Sequence, residues 1–129
     1  MAVLVHVGCG WEALTESVDL ARRVVDLIGD VKGEAIVLMD LRGLTVMCDY
    51  FVIGTANSDR QLNAIVEKIR EEIKKESQIL PAGVEGKGED GWVLMDYGDV
   101  IVHMFAPQAR SYYDLEGLWR DAPVLLRVQ

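Results

Sequence analysis

Between Trp92 and Phe105 the chain alternates its side chains about a single break at Gly98-Asp99, and this alternation fixes a β-hairpin together with its register. The stretch Trp92 to His103 reads Trp-Val-Leu-Met-Asp-Tyr-Gly-Asp-Val-Ile-Val-His. Glycine at the first central position supplies the positive φ of a type II′ turn, so Tyr97 pairs with Val100 and every other pair follows outward. Because side chains alternate along a strand, Val93, Met95 and Tyr97 share a face with Val100, Val102 and Met104. Trp92, Leu94 and Asp96 share the opposite one with Ile101, His103 and Phe105. The first face is almost purely apolar and reads as core. The second mixes large apolar groups with a carboxylate and an imidazole, as a surface desolvated by a partner does; helices covering both faces, with Trp92 in the core, is the alternative.

The rest of the chain supports an α/β layer structure. Leu14, Val18, Ala21, Val25 and Ile28 follow helical spacing, with Thr15 as the cap and Gly29 at the end. Glu34 to Asp40 and Tyr50 to Thr55 are short, β-rich and nearly continuous in apolar content, as strands covered on both faces are. Ser58 with Gln61 forms a capping box opening a long helix striped by Leu62, Ile65, Val66, Ile69 and Ile73, and Lys74-Lys75 complement its dipole. Pro81 ends it, and Ala82 to Glu85 reads as a short edge strand. Pro107 closes the second strand of the hairpin, and Gln108 to Trp119 reads as a terminal helix or pair of helical turns that ends before Pro123. The expected order is α-β-β-α-β-β-β-α in one mixed sheet flanked by helices. Residues 13–129 read as a single domain, and residues 1–12 as an N-terminal extension, either a short strand or disordered.

Half of the 129 residues are hydrophobic, enough for a core without disulfides or metal. Thirteen basic against twenty-one acidic residues give a net charge of −8. Phosphate backbones repel such a body, so sequence-specific nucleic-acid binding is disfavoured and a basic protein surface is the complementary partner. The same balance is ordinary among soluble proteins. Cys9 and Cys48 match no zinc or disulfide framework and point to a reducing compartment. Met1 to Cys9 lacks a basic leader and is interrupted by His6, so it resembles neither a signal peptide nor a membrane span; cytoplasm is the expected location.

Catalytic constellations are sparse. Gly86 to Gly91 has the wrong spacing for a phosphate-binding loop and carries repelling acids, which leaves a flexible hairpin loop. Asp96 and Asp99 are poorly placed to converge, and Asp99 suits the turn itself through local backbone bonding. His103 reads as a buried histidine bonded to a neighbour rather than as a base or ligand. Ser58 is a helix cap before it is a nucleophile. Trp92, Leu94 and Tyr97, set among acids, are residue types that anchor interfaces.

Several ordered blocks carry a family resemblance. They are Asp49-Tyr50-Phe51-Val52-Ile53, Asn57-Ser58-Asp59-Arg60-Gln61, Gly83-Val84-Glu85-Gly86, all of Trp92 to His103, Tyr113-Asp114-Leu115-Glu116, Leu118-Trp119 and Asp121-Ala122-Pro123. From about Val18 to Pro123 the chain resembles the ribosomal silencing factor family, RsfS or Iojap. The resemblance implies a nucleotidyltransferase-like sheet without the paired Asp-x-Asp and Gly-Ser loop of active transferases. It further implies a non-enzymatic, cofactor-free and metal-free translational repressor. Such a protein binds ribosomal protein uL14 on the large subunit and blocks subunit joining under nutrient limitation. The docking surface carried over comprises Trp92, Leu94, Asp96 and Tyr97, with Asp99 as a nearby acid; the hairpin register sets Tyr97 on the other face. The first dozen residues, Cys48 and Gly117 depart from the pattern.

Two other classes remain open at this level: a nucleotide-binding enzyme, by fold analogy alone, and a homodimeric interaction module using the same hairpin face. A globule of this length has a radius of gyration of about 14 Å, enough to obstruct an interface by bulk alone.

Overall fold

The computed structural model describes residues 17–129 in full and the backbone of two earlier strands, β1 (Leu4–Val7) and β2 (Gly10–Ala13), which pair antiparallel with each other. The expected Thr15 cap, Leu14, His6 and Cys9 lie outside the described residues or their side chains. The domain proper runs α1 (Ser17–Asp30), β3 (Glu34–Asp40), β4 (Tyr50–Thr55), α2 (Asp59–Ser77), β5 (Gly83–Glu85), β6 (Trp92–Asp96) and β7 (Val100–Phe105). It closes with α3 (Pro107–Tyr113), α4 (Leu115–Leu118) and β8 (Val124–Val128). The last strand is absent from the sequence expectation, which stops at Pro123. It forms because β3 would otherwise present an unpaired edge: the Asp40 N–H donates to the Pro123 carbonyl, and Val124 to Val128 then pair antiparallel along β3.

The six-stranded sheet has the order β5-β6-β7-β4-β3-β8 and is antiparallel except between β4 and β7. The parallel pair is joined through α2, as a crossover of this length requires. Both long helices lie on one face. Leu27, Ile28, Ile65, Ile69 and Ile73 from α1 and α2 are fully buried against Ile36, Leu38, Val52, Val102 and Met104 of the sheet. Each such side chain contributes about 2 kcal/mol of burial free energy. The opposite face carries a second, smaller cluster of Val37, Met39, Leu41, Cys48, Ile53, Phe105 and Ala122, on which, among the described residues, the short α3–α4 segment and loops pack. One face of the sheet is therefore thickly covered and the other thinly.

Helix ends follow local chemistry. Ser58 Oγ accepts the Gln61 N–H at 3.1 Å, but the Gln61 side chain reaches Asn57 N at 2.7 Å rather than the cap residue itself, a shifted capping box. The Gln61 amide also donates to the Val31 and Lys32 carbonyls, tying α2 to the end of α1. That end is not set by Gly29, which lies inside the helix. The chain turns at Lys32, whose φ is 65°, while the Gly33 N–H closes back on Ile28 O at 2.9 Å, a Schellman arrangement. Gly33 is required there because an added Cβ would stand 2.3 Å from Ile28 Cγ2.

Candidate functional site

The hairpin register is the one the sequence dictates. Gly98 has φ +85°, the Tyr97 N–H donates to Val100 O at 2.9 Å, and Trp92 faces Phe105, Leu94 faces His103 and Asp96 faces Ile101. Val93, Met95, Val100, Val102 and Met104 are buried beneath α1 and α2. Trp92, Leu94, Asp96 and Ile101 are half-buried on the thinly covered face.

There the side chains enclose an open groove of about 420 Å³. Leu94, Ile101 and Phe51 line it from the sheet, Trp119 from the end of α4, and Thr45, Met47 and Cys48 from the loop between β3 and β4. Asp96 and Glu85 add carboxylates to this apolar surface. The loop also exposes Leu44, Val46 and Met47, with Met47 85% exposed, so apolar surface continues from the groove onto the rim. Beyond α3, Tyr112, Tyr113 and Leu118 are exposed too.

An aromatic cluster stiffens one end of the groove. Trp92 stacks on Phe105, with centroids 5.1 Å apart, and meets Tyr113 at 4.5 Å. Its indole N–H donates to His103 Nδ1 at 3.2 Å. Indole nitrogen is a donor only, so His103 Nδ1 carries no proton and the neutral ring holds its proton on Nε2. Phe51 meets the same imidazole edge-on at 4.6 Å. His103 is only 3% exposed, and burial pushes its pKa down to about 4, which keeps it neutral. Burial likewise raises Cys48 to about 11, so its thiol is unreactive at neutral pH.

The wall made by α3 and α4 is held by Arg110. Its guanidinium pairs with Glu116 at 2.9 Å and donates to Thr55 Oγ1 at 2.8 Å and to the Ala35 carbonyl. Ala35 sits at a bulge in β3 with φ 48°, where the register against β4 shifts. Asp114 has φ 44°, separates the two helices, and accepts the Gly117 N–H at 3.1 Å. An added Cβ on Gly117 would lie 2.2 Å from the Asp114 carboxylate, so the glycine belongs to this cap.

Of the five residues picked out in the sequence, the structure brings Trp92, Leu94 and Asp96 together on the groove side. Tyr97 packs with the α1–α2 core; its hydroxyl is buried without a partner among the described residues, and burial raises its pKa to about 12. Asp99 also faces away, with its Oδ2 accepting from the Ser17 hydroxyl at 3.2 Å, at the start of α1. Asp99 occupies the turn as expected, and the Asp96 carboxylate accepts the Gly98 N–H there at 2.7 Å. The glycine-rich stretch expected as a flexible loop is a pinned 3₁₀ turn, Gly88–Asp90: Gly88 N–H donates to Asn63 Oδ1 at 2.9 Å, and Lys87 N–H to Asp90 Oδ2 at 2.9 Å. Met47, Phe51, Ile101 and Trp119 escaped the sequence reading as site residues. Met47 sits in a loop without periodicity, and Phe51 and Ile101 read as ordinary strand residues. Among the described residues no group of three or more His, Cys, Asp or Glu is placed to hold a metal ion, and no helix is long and apolar enough to cross a membrane.

Comparison with known proteins gives a consistent result. The family model described as ribosomal silencing factor during starvation matches residues 14–129. The ribosomal silencing factor RsfS of Bacillus subtilis is 44% identical over 95 residues, covering 74% of this chain and 80% of the relative. That of Halalkalibacterium halodurans is 36% identical over 107 residues, covering 83% and 91%. A crystal structure of a Chromobacterium violaceum protein superposes with a TM-score of 0.77 at 33% identity, over 82% of this chain and 88% of that one. With its mixed α/β sheet and thinly covered hairpin face, the chain belongs to the ribosomal silencing factor family, RsfS.

Proposed function

We propose that this protein represses translation by seating its groove face on ribosomal protein uL14 of the large subunit and obstructing subunit joining by its bulk. The observation that carries this reading is the groove itself: apolar walls from Leu94, Ile101, Phe51 and Trp119 beside the carboxylates of Asp96 and Glu85, on the face that the long helices leave open. A body of net charge −8 meets an RNA-rich particle productively only where a basic protein interrupts the phosphates, and an acidic, apolar face suits that target. The mechanism needs no bond-making step. It needs complementarity at one patch and about 14 Å of radius behind it.

The test is light scattering during association of purified subunits. Wild-type protein in excess lowers the rise, and Leu94→Arg, which places a cation inside the groove without touching the helix-covered core, restores it. Trp92→Ala weakens the effect as well, with loss of stacking on Phe105 and Tyr113 as a second consequence. Undiminished joining in excess wild type overturns the proposal.

Self-association in the free state is a second reading, favoured by β8. This strand ends the sheet among the described residues and exposes Val124, Leu125, Leu126 and Val128 along its edge, a surface prone to pairing. Sedimentation across a concentration range separates monomer from dimer, and a concentration-independent monomer removes the dimer.

A further inference from the structure

Three of the four methionines among the described residues are sealed in the sheet: Met39 is 2% exposed, and Met95 and Met104 are wholly buried. Met47 is 85% exposed, at the rim of the groove it helps to line. Its loop is pinned in a way that holds the side chain outward. The Leu41 N–H donates to Asp49 O at 2.8 Å across the base of the loop, the Leu44 N–H closes on Leu41 O at 3.0 Å, and the Met47 N–H donates to Thr45 Oγ1 at 3.2 Å. Beside them the Arg42 guanidinium clamps the Asp40 carboxylate at 3.0 and 2.8 Å. Cys48, next in the chain, turns the other way and packs into the smaller core cluster. Burial keeps it a thiol, and it is the thiolate that peroxides oxidise. Among the described residues, sulfur open to an oxidant in solution is thus concentrated on one side chain.

We propose that Met47 is a modification site for hydroperoxides, and that its oxidation to the sulfoxide weakens seating of the groove on uL14; the effect on seating rests on the docking reading above. The sulfur lone pair attacks the terminal oxygen of the hydroperoxide, and the S–O bond forms as the O–O bond breaks. The proton of that oxygen passes to the departing oxygen, which leaves as water or an alcohol. Sulfur gives up two electrons and the peroxide takes them. The product sets a strongly polar S–O group beside walls made by Leu94, Ile101, Phe51 and Trp119. Docking removes this surface from water, so the thioether gains from burial, whereas the sulfoxide loses its hydration. Asp96 and Glu85, as carboxylates, accept hydrogen bonds only and offer the new oxygen no donor. The change is reversible: a methionine sulfoxide reductase removes the oxygen as water while a dithiol is oxidised to a disulfide.

The experiment treats folded full-length protein with hydrogen peroxide and maps its peptides by mass spectrometry. Met47 is expected to gain one oxygen atom at least about tenfold faster than Met39, Met95 and Met104, which catch up only in urea. Met47→Leu keeps an apolar side chain of similar size without the oxidisable sulfur, and Met47→Gln puts a polar group in its place. Both are expected to melt with wild type, because the side chain is exposed. Binding to isolated uL14 and to purified large subunits is expected to weaken at least about fivefold in peroxide-treated wild type and in Met47→Gln. In Met47→Leu it is expected to be the same before and after peroxide, and in treated wild type to return on incubation with the reductase and a dithiol. Equal oxidation of the four methionines, treated wild type binding within twofold of untreated, or an equal peroxide loss in Met47→Leu overturns the inference while the docking reading stands. Untreated wild type that binds neither uL14 nor large subunits overturns the docking reading, and the regulation inferred here with it.

Discussion

Burial of a neutral His103 makes stability depend on pH in a window set by one residue. Its pKa lies at about 4 in the folded chain against an ordinary 6.5 when exposed, because burial penalises the charged ring. As pH falls below 6.5, the unfolded chain takes up a proton that the folded chain refuses. The unfolded state therefore gains, and stability declines until pH 4, below which both states are protonated and the effect is complete. The contribution is fully present above pH 6.5 and amounts to about 3 kcal/mol, since the window between the two values costs ~1.4 kcal/mol for every pH unit it spans. Urea unfolding followed by circular dichroism at half-unit steps from pH 4 to 7.5 measures it, with His103→Asn as the comparison. Every group other than residue 103 is common to the two proteins and cancels in the difference. Wild type is expected to lose stability more steeply than His103→Asn between pH 6.5 and 4, with the two profiles parallel above that range. Parallel profiles throughout would refute the argument that His103 is buried and neutral.

Three further outcomes follow from particular contacts. Tyr97→Phe removes a buried hydroxyl that has no partner among the described residues, so thermal melting is expected to stay level or rise by the equivalent of about 1 kcal/mol, and uL14 binding to be unchanged because the ring faces α1 and α2. Gly117→Ala drives a Cβ into the Asp114 carboxylate and breaks the α4 cap; a loss of about 1 kcal/mol in urea unfolding is expected, with weaker uL14 binding as Trp119 shifts at the groove wall. Arg110→Met leaves Glu116, Thr55 and the Ala35 carbonyl without their common donor, and a loss of about 2–3 kcal/mol is expected by the same assay.

The hairpin was legible in the sequence because a two-residue turn with glycine first leaves only one register, and a one-residue slip would expose Val93, Met95, Val100, Val102 and Met104 together. The stripe of α2 and its Ser58 cap were legible for a related reason: their signals lie within a few residues of each other. Elements that depend on distant partners were not. Strand β8 exists because β3 needs a neighbour, and nothing within Val-Leu-Leu-Arg-Val distinguishes it from a trailing end. The α1 terminus moved past Gly29 to Lys32 because the Schellman bond to Ile28 and the close packing of Gly33 decide the geometry, overriding the glycine preference.

For the site, alternation told which residues share a face but not how well each face is covered. Coverage depends on α3 and α4 being short, and that follows from Asp114 adopting a left-handed conformation to cap one helix while ending the other. Had the two been one long helix across the sheet, Leu94 and Ile101 would be core and the groove would close. Tyr97 and Asp99, the other two residues the resemblance implies for the docking surface, are turned toward the long helices, Tyr97 as the hairpin register requires. Trp92 belongs to both readings at once. Its ring is half-buried on Phe105 and Tyr113, and its one polar side-chain atom is committed to His103, so truncating it disturbs packing and imidazole orientation together. A Trp92→Phe variant isolates the orientation: stacking is retained, the N–H is lost, and the His103 ring becomes free to exchange its tautomer. If orientation matters, uL14 binding falls in Trp92→Phe while the melting temperature drops little; if only packing matters, binding and melting temperature follow each other.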